Sequence, residues 1–286
     1  MEKVILSRLD VLSHPGRMSV FRLLMRRYPD AVPAGEVARA LEIKPSTLSV
    51  YLSALSAAGL VSQRREGTSL LYTARTQAAG EIMDFLFNDC CRGRPDACVS
   101  LSGASEKGMP AMSDRNYNVL FICTGNSARS IFAETLLRAE AGDRFDVYSA
   151  GTRPQSELNP FALEVLEAKG HDISGLRAKN VSEFTGPDAP VMDFVFTVCN
   201  QAANEECPAW DGQPISAHWG MPDPVKAEGT DAQKSLAFQQ AYGALRNRIL
   251  AFTALPLETL DRISLQKAVD DIARDAGADD KDEVSA

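Results

Sequence analysis

The chain has 286 residues, 45% of them hydrophobic and 24% charged, the balance of a folded globular protein, which excludes whole-chain disorder, a collagen-like fibre and a coiled-coil rod. That length suits two domains. The net charge of −8 is split, with +3 on residues 1–102 and −11 on the rest, so the first part can approach a polyanion and the bulk of the second cannot. No apolar run is long enough to span a membrane. The first residues, MEKVILSRLDVLSHPGR, scatter charges among apolar positions and lack the pattern of a secretion signal, so a cytoplasmic location is expected. Six cysteines are too few for a disulfide scaffold. In a reducing compartment they should be free, catalytic or metal-binding.

In chain order, Val4, Leu6, Leu9 and Leu12, then Val20, Phe21, Leu23 and Leu24, recur at helical spacing, with Pro15 and Gly16 breaking the run. A short helix is predicted at Ala34–Leu41, followed by a tight turn, Glu42-Ile43-Lys44. Pro45 suits the first position of the next helix. That helix runs to about Ala58, with Leu48, Leu52 and Leu55 on its inner face and Gly59 to end it. Strand-like runs Leu60–Arg64 and Ser69–Thr73 flank Glu66-Gly67-Thr68, and a last helix covers about Arg75–Asn88. Two helices, a short turn and a hairpin make a winged helix-turn-helix. Its second helix offers Ser46, Thr47, Ser49, Val50 and Tyr51 to a DNA major groove, and Arg64 and Arg65 sit where a wing meets backbone phosphate. A small helical domain used for protein contacts remains the alternative from these residues alone.

Residues 34–73, above all PSTLSVYLSALSAAGLVSQRREGTSLLYT, resemble the ArsR/SmtB family of metalloregulatory repressors. The resemblance covers about residues 1–91. It implies a homodimer built from the first and last helices, a palindromic operator as partner, and release by a soft metal or metalloid. Many arsenic-sensing members carry paired cysteines at the start of the helix-turn-helix, where this chain has Pro33-Ala34-Gly35-Glu36-Val37. The thiols lie instead at Cys90, Cys91 and Cys98. As(III) and Sb(III) are thiophilic and take three thiolates in a pyramid, which a vicinal pair and a third flexible thiol can wrap. The trio is similar to one that follows the dimerisation helix in some of these repressors. Residues 92–115, rich in Gly, Ser, Pro and Ala, read as a linker that carries Cys98.

After the linker Tyr117–Ile122 is a continuous apolar run, as in a buried parallel strand. It leads into Cys123-Thr124-Gly125-Asn126-Ser127-Ala128-Arg129-Ser130 and a helical IFAETLLRAEA. A loop wrapped at a helix N-terminus aims N–H groups at one centre, which suits a tetrahedral oxyanion. Residues 124–128 would form that cradle, Gly125 supplying backbone angles closed to other residues. Arg129 would clamp two oxyanion oxygens. The same positive field is expected to lower the pKa of Cys123, and Ser130 can donate to its thiolate. Further on, Asp223 lies in a rigid Met221-Pro222-Asp223-Pro224 turn, placed to act as general acid. The loop and this Asp together resemble the low-molecular-weight tyrosine phosphatase pattern over about residues 116–257. That resemblance implies an α/β domain with a small parallel sheet and helices on both faces.

Two chemistries share that fold, phosphate-ester hydrolysis and arsenate reduction. Cys199 ends a strand-like Val195–Val198, and Cys207 follows after seven residues. A phosphatase needs one cysteine, whereas a reductase needs electrons. Cys123 would attack arsenate, Cys199 would attack Cys123 and expel As(III), and Cys207 would take over the disulfide by thiol exchange. The stretch VFTVCNQAANEECPAW and the AHWGMPDPV before and after the Asp resemble the phosphatase-like arsenate reductases, ArsC. The aromatic pair that phosphatases place after Asp-Pro is replaced here by Val225-Lys226-Ala227. The gap between the two cysteines is about one residue longer than in thioredoxin-coupled members. Glutathione with glutaredoxin, or mycothiol, therefore stands beside thioredoxin as donor. His218 and Trp219 are expected to pack beside the Asp loop, and His14 and His171 to be structural or exposed. No zinc spacing, Walker loop or dinucleotide fingerprint occurs, and no tightly bound cofactor is expected. The C-terminal segment 258–286 is expected to hold a helix and then, from about residue 276, an acidic tail.

The whole reads as a multidomain chain, a winged helix-turn-helix domain followed by a phosphatase-like α/β domain. It would be a bifunctional arsenic-resistance protein that reduces arsenate by a thiol relay and represses transcription until arsenite binds. A regulator fused to a phosphatase, or to an oxyanion sensor without turnover, is the alternative.

Overall fold

The computed structural model describes residues 2–90, 115–186, 188–205, 210 and 212–282. The chain divides into two units, Met1–Lys107 and Gly108–Ala286, each with its own apolar core.

The first unit opens with α1 (Glu2–Leu12) and α2 (Pro15–Arg26). Pro15 takes the first helical position, where its missing N–H is not needed. His14 caps the helix, its Nδ1 accepting from the N–H groups of Gly16 and Arg17 at 3.1 and 3.4 Å. Strand β1 (Val32–Pro33) leads into α3 (Ala34–Ala40), and α4 (Pro45–Ala57) follows a turn in which Glu42 is left-handed, at φ 53°. Leu48, Leu52 and Leu55 are buried, as their spacing predicts. The hairpin is β2 (Val61–Glu66) and β3 (Ser69–Ala74), in a register that pairs Val61 with Ala74 and Glu66 with Ser69. β1 adds to it as a third strand, Val32 opposite Tyr72; two residues are too short to show a period in sequence. The unit closes with α5 (Thr76–Asp84) and a wider π-helical turn, Phe85–Cys90, so the last helix begins one residue after the predicted start and changes pitch before its end. Arg8 ties three elements together. It donates to the carbonyls of Ala58 and Ala78 at 3.3 and 3.4 Å and pairs with Glu81 at 2.6 Å.

The second unit is a parallel four-stranded sheet in the order β5-β4-β6-β7. Its strands are β4 (Tyr117–Cys123), β5 (Phe145–Gly151), β6 (Phe194–Thr197) and β7 (Ile215–His218). The helices are α6 (Arg129–Ala141), α7 (Pro160–Ala168), the five-residue α8 (Asn200–Asn204), α9 (Asp231–Thr253) and α10 (Arg262–Asp282). The chain leaves β4 toward β5 on one side and returns to β6 on the other. The C-terminal end of β4 is thus the topological switch point, where open α/β sheets bind ligands. The core is aromatic. Trp219 is fully buried and stacks on Phe196 at 4.1 Å and 10°, with Phe121 and Phe252 around them. Truncating a ring in such a site costs about 3–5 kcal/mol.

The helix expected after residue 257 is present as α10, but it runs on to Asp282, past the expected start of the tail near 276, and packs against β7. Leu265 and Val269 are fully buried, and Trp219 Nε1 donates to the Val269 carbonyl at 3.1 Å. Gln266 engages both the N–H and the C=O of Ser216, at 3.4 and 2.8 Å. The helix thus covers the open edge of the sheet, which would otherwise present unpaired strand groups. Charge density in the segment hides the two apolar residues that dock it. Among the described residues no helix is long and apolar enough to cross a membrane.

Candidate functional site

The parallel pairing of β4 with β6 builds the site. Ile122 lies opposite Thr197, so Cys123 and Cys199, 76 positions apart in sequence, emerge at the same end of adjacent strands. Both are buried. Thr124, the residue after Cys123, has its hydroxyl 3.4 Å from Cys199 Sγ. Cys199 also caps α8, accepting from the Ala202 N–H at 3.4 Å.

The loop after Cys123 is held by its carbonyls. Those of Cys123, Thr124, Gly125 and Ser127 accept from the N–H groups of Thr152, Arg153, Gln155 and Asn159, at 2.8–3.1 Å. Carbonyls turned outward are what a loop needs for its N–H groups to converge on an anion. The Asn126 N–H already does so, 3.1 Å from Cys123 Sγ. One expectation is corrected here. Gly125 is not left-handed; Asn126 is, at φ 44°. Glycine at 125 answers to space, since a Cβ there would lie 3.3 Å from Gln155 Cγ. Ala128 is buried beside the first turn of α6.

Asn126 tolerates its backbone because its amide is fully engaged. Its Oδ1 accepts from the Lys179 N–H at 2.7 Å, and its Nδ2 donates to Ser130 and Ser149, at 2.9 and 2.8 Å. With its oxygen accepting from Asn126, Ser130 has its proton free for Cys123 Sγ, 2.9 Å away. Below this lies a buried ion pair absent from the sequence reading. Glu134 Oε2 accepts from Ser149 at 2.5 Å and meets Lys179 Nζ at 2.9 Å. Its one signal in sequence is a carboxyl within the apolar stretch that opens α6.

Arg129 and Asp223 face each other across the site, with Nη2 2.9 Å from Oδ2. Arg129 Nη1 also donates to the Met221 carbonyl at 3.2 Å. Asp223 begins a short turn, Pro224–Lys226, its Oδ1 accepting from the Val225 N–H at 3.3 Å. Arg248, on α9, holds the strap before it by donating to the Trp219 and Gly220 carbonyls, each at 3.2 Å.

The expected depression of the Cys123 pKa is also corrected. Burial pushes the thiol up, and the neighbouring Cys199 adds to this; the Ser130 hydrogen bond and the Arg129 charge pull it down without prevailing. Arg129 is already engaged by Asp223, which weakens its field at the sulfur. Alkylation of Cys123 by iodoacetamide should therefore rise with pH through a pKa above the ordinary thiol range. In Asp223→Asn that midpoint should move down, because the guanidinium is released toward the sulfur. Turnover in the same variant should fall about 10²–10⁴-fold with the acid gone. An unchanged alkylation profile would show that the pair does not govern the thiol.

In the first unit Ser46, Ser49 and Val50 are exposed on α4, and Thr47 is half-buried. Tyr51 points less freely than expected. Its ring lies 4.9 Å from that of His14 and fills the space over Gly16, where a Cβ would come within 2.6 Å of it. Arg64 and Arg65 are exposed on β2, Arg64 beside Glu66 at 3.3 Å. Cys90 is exposed at the end of the π-helical turn. Cys91, Cys98 and Cys207 lie outside the described residues. His14 is the α2 cap, and His171 bonds the Tyr242 hydroxyl at 2.7 Å.

Comparison with known proteins shows what each unit is similar to. Residues 118–263 match the family described as low molecular weight phosphotyrosine protein phosphatase, and residues 12–64 a helix-turn-helix domain. The arsenate reductase of Bacillus licheniformis is 38% identical over 135 residues, 47% of this chain and 93% of that protein. That of Bacillus subtilis is 36% identical over 137 residues, 48% of this chain and 95% of that protein. The solved structure of the Corynebacterium glutamicum thioredoxin-dependent arsenate reductase is 22% identical, with a TM-score of 0.35, over 74% of this chain and 90% of that one.

Proposed function

The chain belongs to the low molecular weight phosphotyrosine protein phosphatase family, and from that premise we propose that it is a thiol-dependent arsenate reductase joined to an arsenite-responsive, DNA-binding repressor. The observation that carries the reductase reading is the second thiol. Cys199 is buried, like Cys123, at the same end of the neighbouring strand, close enough to act on its thiol electrostatically, a placement that ester hydrolysis does not call for. Relatives named arsenate reductase, at 36–38% identity over nearly their whole length, support it.

Arsenate enters the cradle of residues 124–129, and Arg129 turns from Asp223 to two of its oxygens. The Cys123 thiolate attacks arsenic while Asp223 protonates a leaving oxygen, so an S–As bond forms and water departs. The Cys199 thiolate then attacks Cys123 Sγ. The S–S bond forms, the S–As electron pair stays on arsenic, and As(V) leaves as arsenite. Cys207 displaces Cys123 as a thiol and forms Cys199–Cys207, and an external dithiol of the thioredoxin or glutaredoxin class, or a mycothiol-type donor, reduces that disulfide to two thiols and is itself oxidised.

The first unit supplies the repressor. Exposed Ser46, Ser49 and Val50, with half-buried Thr47 and the Tyr51 edge, would enter the major groove, with Arg64 and Arg65 on phosphate. Val4, Leu6 and Met83, exposed on α1 and α5, support a homodimer through those helices. Cys90, Cys91 and Cys98 would bind As(III) or Sb(III). The product of one domain is then the inducer of the other, and both operate in the cytoplasm.

The test uses the purified, reduced full chain. Arsenate-dependent NADPH oxidation is followed with thioredoxin and thioredoxin reductase, with glutathione and glutaredoxin, and with a mycothiol-based system. DNA binding to the region upstream of its own gene is followed by anisotropy as arsenite is added. Cys98→Ser should weaken arsenite-induced release while arsenate turnover stays intact. Equal loss of both would defeat the division of labour. Aryl phosphate hydrolysis that survives Cys199→Ser, with no arsenate-dependent thiol oxidation, would favour the phosphatase.

A further inference from the structure

The relay above needs Cys199 aimed at Cys123 Sγ, yet Cys199 sits on a helix of five residues. So short a helix cannot hold its own geometry. It is fixed from outside at both ends. At the far end Arg153 meets Glu205 at 2.7 Å, and the Arg153 N–H also bonds the Thr124 carbonyl of the nucleophile loop at 2.9 Å. At the near end stands a group with no role in the chemistry so far, His218. Its ring is 1% exposed. Nδ1 lies 2.8 Å from the Thr197 hydroxyl at the end of β6, and Nε2 lies 3.2 Å from Oδ1 of Asn200, the residue after Cys199. With Asn200 Oδ1 accepting, Nε2 carries the proton and Nδ1 accepts from Thr197.

This contact is sheathed. A Cβ on Gly220 would fall 2.4 Å from His218 Nε2 and 2.7 Å from Asn200 Oδ1, so the glycine backbone itself closes over the hydrogen bond. Arg248 pins the Gly220 carbonyl in that position. Three residues later the same strap carries Asp223.

We propose that His218, covered by Gly220, is a positioning residue for the second half-reaction: by fixing Asn200 it aims Cys199 at Cys123, with no part in oxyanion capture. This rests on the reductase reading. Capture uses the loop, Arg129 and Asp223, whereas the bonds of the His218 ring to Thr197 and Asn200 reach the strand end and the helix that flank Cys199. The second step, in which Cys199 displaces arsenite from Cys123 and the electron pair remains on arsenic, is the one that feels the ring. A displacement of about 1 Å is worth on the order of 10²-fold in rate.

The experiment separates the two halves. Reduced protein is mixed with arsenate without external reductant; arsenite release and thiol loss are timed. In parallel, arsenate protection of Cys123 against iodoacetamide measures capture. In His218→Leu, release should slow on the order of 10²-fold with protection unchanged. His218→Gln keeps a donor toward Asn200 and should recover most of the rate. Asn200→Ala, at an exposed position, should reproduce the loss, and it carries the test if the buried substitution disturbs folding. Wild-type release in Asn200→Ala, or parallel loss of protection and release, would overturn the proposal. Wild-type protein that loses no thiols and releases no arsenite would instead overturn the reductase reading beneath it.

Discussion

Cys123→Ser should bring arsenate-dependent dithiol consumption to background, and Cys199→Ser should do the same for a different reason. A serine at 123 keeps the cradle, so arsenate still binds, but its hydroxyl is not ionised near neutral pH and no adduct forms. A serine at 199 leaves Cys123 able to attack arsenic, and the reaction stops with arsenic on the sulfur. Both losses should be at least roughly 10³-fold. Mass spectrometry tells them apart, with an arsenic adduct in Cys199→Ser and none in Cys123→Ser. Arsenite should appear in neither. Release of arsenite by Cys199→Ser at the wild-type rate would mean that another thiol expels it. The relay would then have to run from Cys123 directly to an external donor. Retained turnover in Cys123→Ser would remove the nucleophile from the loop altogether.

What could be read in advance follows from how local each signal is. Cys123, Arg129 and Ser130 share one strand–loop–helix segment, so their spacing alone brings them together. Cys199 was marked because the apolar run Val195–Val198 ends on it; that β6 lies beside β4, which the run does not specify, is what brings it to the end of β4. Asp223 was marked by its prolines. Glu134, Lys179 and Ser149 come from three separate segments and meet only in the folded core, so no periodicity announces them. The pairing of His218 with Asn200 is equally remote, since the ring looked like packing beside the Asp loop. The thiol pKa went the other way because charge can be counted from sequence, whereas burial and the nearness of Cys199 cannot. In the winged helix the apolar spacing gave the helices. The contact of Tyr51 with Gly16 depends on a crossing of α4 over α2 that spacing does not specify.

Glu134→Ala should be the most destabilising single change in the α/β unit outside its aromatic core. Glu134 and Lys179 are 4% and 8% exposed, and removing the carboxylate strands a buried ammonium, a loss of about 3–5 kcal/mol. For a unit of this size that lowers the melting temperature by on the order of 10 °C. Arg138, which meets Glu134 at 2.5 Å, is half exposed and can turn to water, so it adds little. The double variant Glu134→Leu, Lys179→Met removes both charges and should regain most of that stability. It should not regain the function. Without the carboxylate, the Ser149 hydroxyl loses the acceptor that orients it, and Asn126 loses the fixed partner that sets its amide between Ser130 and Ser149. The hydrogen bond from Ser130 to Cys123 then loosens, and with it one of the two groups that draw the thiol pKa down. The Cys123 alkylation midpoint should move further up in the double variant even as melting recovers. Recovery of both together would reduce the ion pair to a packing element. Their separation in a double-mutant cycle would show that the charge buried beneath the loop acts on the nucleophile through Ser149, Asn126 and Ser130 in turn.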